Sequence, residues 1–227
     1  MNDIFEGRYK FNISDDMIIP ITRLNDFFYY HTQHMGLEKN RIEFILKDYT
    51  YQYLRRIGIT SFSETNKSLT MWGHYAEKQK GICLEFDTSE SNFVLSQVQY
   101  SEKVYTVNLE SIESITLENI IEQSNKRFNY KYIGWEYEKE WRIIGKARET
   151  IKYPSKCLKA IYFGYRSNIR TYRDIIDATR DIEGLKYYRF KPYKDSYRFE
   201  FIELNLKEME QFLIEKENRE ILLNDLL

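Results

Sequence analysis

Apolar positions recur along this chain in two rhythms, and the rhythms predict its elements. Ile42, Ile45, Leu46, Tyr49 and Tyr53 fall three and four residues apart, which predicts a helix from Leu37 to Arg56, ended by Gly58. Ile59 to Ser63 then reads as a strand. Ser68 is placed to cap a helix running to about Gln79, with Leu69, Trp72, Tyr75 and Ala76 on its apolar side. Gly81 to Asp87 reads as a strong strand, and Val98–Tyr100 and Val104–Val107 as short ones. A helix is expected from Leu117 to about Tyr132, with Ile120, Ile121, Phe128 and Tyr132 inward and Gly134 as its stop. Leu158 to Gly164 is a second strong strand whose continuous apolar run predicts a central place in a sheet. Asn168 to Ile182 is helical by its Ile169, Tyr172, Ile175, Ile176 stripe, and Gly184 closes it. Strands around 187–191 and 197–204 follow, then a last helix over 208–223. Strands and helices mix without strict alternation, which predicts an α+β fold with a mixed, mostly antiparallel sheet. No repeat or linker appears, so one domain over 1–227 is expected.

The stretch Trp135–Arg142 breaks the ordinary alternation of apolar and polar positions. Read as a strand continuing through Ile143, one face carries Trp135, Tyr137, Lys139, Trp141 and Ile143, and the other Glu136, Glu138, Glu140 and Arg142. Carboxylates in a row repel, so a cation, a ligand or bulk water must offset them. Arg142 can serve one of them through a bidentate contact. Read as a helix, Glu138 and Arg142 form a favourable i,i+4 pair. Two readings stay open: a salt-bridged structural face, or functional carboxylates Glu138 and Glu140 at a pocket walled by tryptophan.

Composition narrows the classes. The 227 residues carry a formal net charge of −1, which excludes a globally basic nucleic-acid binder but leaves room for a local patch. Aromatics reach 16%, with 20 Tyr, a residue suited to interfaces as well as to wet cores. Cys83 and Cys157 lie in apolar strand-like runs and read as buried thiols of a reduced compartment. No apolar run approaches the roughly 20 residues of a membrane span, and no leader pattern opens the chain, so a cytoplasmic protein is expected.

Other chemistry is thinly marked. His31 and His34 are three apart, yet no further ligand is near, so no metal site is expected. Ser61, Ser63, His74 and Asp87 supply the residue types of a hydrolase triad, without the nucleophile-elbow pattern. Lys186 to Arg198 interleaves rings and cations with a local charge of five less one. Single-strand nucleic-acid binders use that mixture, and so do sheet edges protected by Lys and Arg.

Five motifs in order carry a resemblance: Ser61–Glu64, Met71–Ala76, Lys80–Asp87, Trp135–Arg142 and Ile161–Gly164. Together they resemble the bacterial family catalogued as domain of unknown function 2971, over most of residues 1–204, with the last helix outside it. The resemblance implies a place in phage–host conflict, since some members look like abortive-infection proteins. In that family an Asn-Asp-Pro-Phe-Glu motif follows an N-terminal strand region. Asn2–Glu6 is similar, with Ile4 for Pro, at the very start of this chain, which implies an absent or shortened strand region.

The order of a serine strand, Ser61–Ser63, and then Glu138-Lys139-Glu140 is also similar to that of ADP-ribosyltransferases. That likeness implies NAD as co-substrate, with Glu140 stabilising an oxocarbenium-like ribose and Glu138 orienting the acceptor. Ser61 and Ser63 would position the ribose, Tyr75 or Trp135 would stack on the nicotinamide, and Trp72, His74 and Arg142 would complete the surroundings. The Arg or His that such enzymes take from an early strand is not recognisable here. A non-catalytic interaction protein with a protein partner is the competing expectation, and nucleic-acid binding through 186–198 the third.

Overall fold

A computed structural model describes residues 9–13, 43, 46–47, 50–51, 55–109, 117–205 and 211–218. In chain order the elements are β1 (Tyr9–Ile13), β2 (Ile57–Ser63), α1 (Leu69–Tyr75), β3 (Ile82–Phe86), β4 (Ser96–Gln97), β5 (Gln99–Ser101) and β6 (Tyr105–Leu109). There follow α2 (Leu117–Lys126), β7 (Tyr130–Tyr132), β8 (Glu140–Lys146), β9 (Leu158–Phe163), α3 (Ile169–Thr179), β10 (Lys186–Pro192) and β11 (Phe199–Leu204). Residues 211–218 are helical. The class is α+β, with helices beside mixed, mostly antiparallel sheets. The predicted features at Asn2–Glu6, Ile18–Ile21, Phe27–Tyr30, His31 and His34, and most of the 37–56 helix, lie outside the described residues. No helix among the described residues is long and apolar enough to cross a membrane.

The chain forms two compact units. One takes residues 1–64 and 94–150, the other 65–93 and 151–227. In the second, a four-stranded sheet runs in the order β11-β10-β9-β3, so β9 holds the interior position its apolar run predicts. Ile161 and Phe163 pack with Tyr172, Ile175 and Ile176 of α3 and with Phe212. Ala160 and Tyr162 pack on Trp72 and Ala76, the latter just past the end of α1. The strand is thus apolar on both sides because it is covered on both sides. Ser68 caps α1 by accepting the Met71 N–H, and Asn168 caps α3 by accepting that of Thr171.

Helix α1 ends at Tyr75, earlier than its apolar stripe suggests. Glu77, Lys78 and Gln79 take φ values of 47, 55 and 70°, a left-handed turn that the stripe does not encode. The Gln79 N–H donates to Trp72 O (3.0 Å), while Gln79 O accepts from Arg166 N (2.9 Å). Gly164 passes so close that a Cβ there would stand 2.3 Å from Gln79 O.

The first unit holds the sheet β2-β8-β4 and the pairs β1-β6 and β5-β7. Gly58 lies inside β2 and does not end a helix. A Cβ there would meet Lys146 O at 2.8 Å, so the glycine serves strand contact. Helix α2 stops at Lys126, short of the expected Tyr132, and Arg127–Asn129 forms a 3-10 turn. Tyr130–Tyr132 then pairs in parallel with β5. Val98 separates two short strands where one was expected: β4 pairs with β8, and β5 with β7.

Candidate functional site

The Trp135–Arg142 stretch is half turn and half strand. Ile133–Glu138 winds as a 3-10 helix, Lys139 takes the left-handed conformation (φ 46°, ψ 55°), and β8 starts at Glu140. The Lys139 N–H closes the turn on Glu136 O at 3.1 Å. The result differs from a single strand face. Glu136 is exposed, whereas Glu138 and Glu140 point inward, 3% and 4% exposed.

Two buried cations meet them. Lys131, from β7, places Nζ 2.6 Å from Glu138 Oε2 and 3.0 Å from Glu140 Oε2. Arg142 grips Glu140 from the same strand with two hydrogen bonds, Nε to Oε1 (2.8 Å) and Nη2 to Oε2 (3.0 Å). This is the bidentate contact expected of that arginine. Arg142 Nη1 also donates to Phe128 O. Two positive and two negative groups thus share one buried cluster. The backbone of Glu140 is held as firmly: its N–H donates to Tyr100 Oη (2.8 Å), and its carbonyl accepts from Val98 N (2.9 Å).

Electrostatics follow from this geometry. Burial pushes the Glu140 carboxyl up, but hydrogen bonds from Arg142 and Ser61, the Arg142 charge and the Lys131 contact bring it below its ordinary value. Burial likewise disfavours the Lys131 ammonium, yet its hydrogen bonds and charge contacts with Glu138 and Glu140 raise it above the usual lysine range. Tyr100 is raised, chiefly by burial.

The serine strand does reach the acids. Antiparallel pairing sets Ser61 opposite Arg142 and Ser63 opposite Glu140. Ser61, on an exposed position of β2, hydrogen-bonds the Glu140 carboxylate. Ser63 Oγ donates to Glu138 O at 2.6 Å. Trp135 stands beside Lys131, whose Nζ lies 5.1 Å from its ring centre, within cation–π range. Ser61, Ser63, Trp135, Glu138, Glu140 and Arg142 therefore belong to one unit.

Trp72, His74 and Tyr75 belong to the other unit, on α1. Trp72 is 4% exposed, meets Phe201 at a tilt of 44° and donates its indole N–H to Asn66 O (2.7 Å), as a core residue does. His74 and Tyr75 are exposed and meet edge to face, with centroids 6.2 Å apart. Asp87 spends one carboxylate oxygen on the N–H and hydroxyl of Ser89. Cys157 is buried, while Cys83 is only half-buried, and burial with the Glu85 charge pushes its thiol up to about 11.

Lys131 and Tyr100 were the residues that pattern reading missed. The row of carboxylates demanded a cation, and Tyr130-Lys131-Tyr132 alternates as a strand would, but the helical stripe up to Tyr132 masked it. In the basic aromatic segment, Lys186 and Tyr188 contact Glu203, and Lys191 and Tyr193 contact Glu200. Its two strand lysines are thus paired across β10 and β11, while Arg189 lies over the Phe212 ring.

Residues 71–143 match a family described as protein of unknown function (DUF2971). The similarity to that family covers less than half of the chain. The matched stretch takes in all of α1 but its first two residues, β3, Lys131, Glu138, and the start of β8 with Glu140 and Arg142. The match is narrower than the motif order suggested, and Ser61–Glu64 and Ile161–Gly164 fall outside it. No curated protein and no solved structure matches the chain.

Proposed function

We propose that this chain is a non-catalytic interaction protein, in the phage–host setting that its family resemblance implies, and that the Glu138–Glu140 motif braces its first unit. The observation that carries this reading is the closed cluster of Lys131, Glu138, Glu140 and Arg142, each 8% exposed or less. A carboxylate that stabilises an oxocarbenium-like centre must direct uncompensated charge at its substrate. Here both acids already spend their charge on buried cations 2.6 to 3.0 Å away. Work is then left to the surface, where exposed tyrosines abound. The test is incubation with labelled NAD. Neither nicotinamide release nor label transfer is expected, and release that vanishes in Glu140→Gln would overturn the reading.

A second reading is favoured by one contact, the exposed Ser61 hydroxyl on Glu140. It makes the chain an ADP-ribosyltransferase-like enzyme. Glu140 would face the ribose, Glu138 would orient the acceptor, Ser61 and Ser63 would place the ribose, and Trp135 would stack on the nicotinamide. Lys131 would have to leave Glu140 for a ribose to enter. The same NAD experiment decides between the two.

A further inference from the structure

The β10–β11 hairpin separates its charges by position. Along the strands the lysines are paired, Lys186 with Glu203 at 3.3 Å and Lys191 with Glu200 at 3.1 Å, and Arg189 lies over the Phe212 ring. The tip, 193–198, lies beyond the last register pair, Pro192 with Phe199, and holds Tyr193, Lys194, Asp195, Ser196, Tyr197 and Arg198.

This tip is built firmly. The Tyr193 N–H donates to Arg198 O (3.0 Å), and the Arg198 N–H to Ser196 Oγ (3.0 Å). Beneath it Phe190 and Phe199 stack with centroids 4.2 Å apart and planes 13° from parallel. Tyr193 Oη is held by Glu200 at 2.9 Å.

Yet its rings face water. Tyr197 is fully exposed, and Tyr193 is 49% exposed. A third ring, Tyr165, is 55% exposed and follows β9, which runs parallel to β10 and so ends at the same end of the sheet. Its centroid lies 5.7 Å from that of Phe190. Exposed Arg166, Lys194 and Arg198, less Asp195, leave that end positive. Tyr197 is wholly solvated and Tyr165 and Tyr193 are half so, and such rings offer contact area at low ordering cost. Tyr and Arg are the side chains on which protein interfaces concentrate their energy.

The charge decides the partner. A single-stranded nucleic acid needs cations in a row to follow its phosphates. Here Glu203 and Glu200 pair with Lys186 and Lys191, Arg189 lies over the Phe212 ring, and Glu200 sits against the tip. A protein segment can instead place a few carboxylates on Arg198, Lys194 and Arg166 and apolar groups on the rings. We propose that the end of this sheet bearing Tyr165, Tyr193 and Tyr197 is a docking surface for an acidic protein segment. The proposal rests on the interaction-protein reading and locates its contact.

A fluorescent glutamate–tyrosine copolymer is the probe, read by anisotropy against the full chain, with a lysine–tyrosine copolymer and a twelve-residue oligothymidylate for comparison. Tyr197→Ala combined with Arg198→Glu removes a ring and reverses a charge outside any packed core, and Lys103→Glu controls for net charge. The acidic copolymer is expected to bind, about tenfold more weakly to the double variant than to the wild type, with Lys103→Glu near wild type. No binding, equal loss in the control, an unchanged double variant, or a preference for the oligothymidylate would each overturn the proposal. Nicotinamide release from NAD by the same preparation is the separate readout on which the interaction-protein reading falls.

Discussion

Lys131 Nζ lies 2.6 Å from Glu138 Oε2, and the 3-10 turn Ile133–Glu138 joins the strands that carry Lys131 and Glu140. One ammonium thus ties β7 to the turn and to the start of β8. Removing it would strand two carboxylates in the interior with Arg142 as the cation left to them among the four. Lys131→Met is expected to cost about 3–5 kcal/mol of stability, the usual penalty for breaking a buried pair. Adding Glu138→Gln to Lys131→Met should recover part of that loss. A double-mutant cycle by chemical denaturation measures it, and strictly additive losses would show that the two groups do not interact.

Acid stability should report on Glu140. Its folded pKa is depressed, so its contribution is complete above the unfolded carboxylate value near 4.3 and is lost as pH falls through the folded value. In that window the unfolded chain binds a proton that the folded chain does not, so stability rises with pH. Asp87, Glu90 and Glu200 are also held below their ordinary values, each with a hydrogen bond as the largest cause, and they slope the same way. The difference between wild type and Glu140→Gln isolates the buried group. The variant should show the shallower loss on acidification, measured by denaturation at a series of pH values, and parallel curves would contradict it.

Tyr100 acts on backbone. Its hydroxyl accepts the Glu140 N–H at 2.8 Å, at the first residue of β8. Tyr100→Phe keeps the ring and leaves that donor without this acceptor, so a loss of about 1 kcal/mol is expected. Hydrogen exchange at the Glu140 amide should quicken in the variant. An unaltered exchange rate would mean that the bond does not protect the strand start.

Gly164 should tolerate no side chain. A Cβ would press on the Gln79 carbonyl, which is backbone in a left-handed turn and cannot swing aside. Gly164→Ala is expected to destabilise by about 1–3 kcal/mol, as overpacking does. Gly73→Ala is the contrast, because a Cβ there meets nothing within 4 Å and the residue lies inside α1. Thermal melts of the two variants compare them, and equal midpoints would reject the steric account.

Some of this could be read from the chain alone. Caps at Ser68 and Asn168, the apolar run of β9 and the stripe of α3 are local signals, fixed by hydrogen-bond chemistry within a turn or by one face of one element. The demand that Glu138 and Glu140 find cations was equally legible, and Arg142 answered it at a spacing of two. Tertiary structure decided the rest. Lys131 became a partner because β5 drew Tyr130–Tyr132 out of a helical pattern, and Glu138 turned inward because Lys139 adopted a left-handed conformation. Lys186 and Lys191 are paired with glutamates that only the β10–β11 register sets against them. A sequence specifies which groups need partners, but which distant groups meet them is set by strand pairing, where energies of many residues are summed before any one side chain is placed.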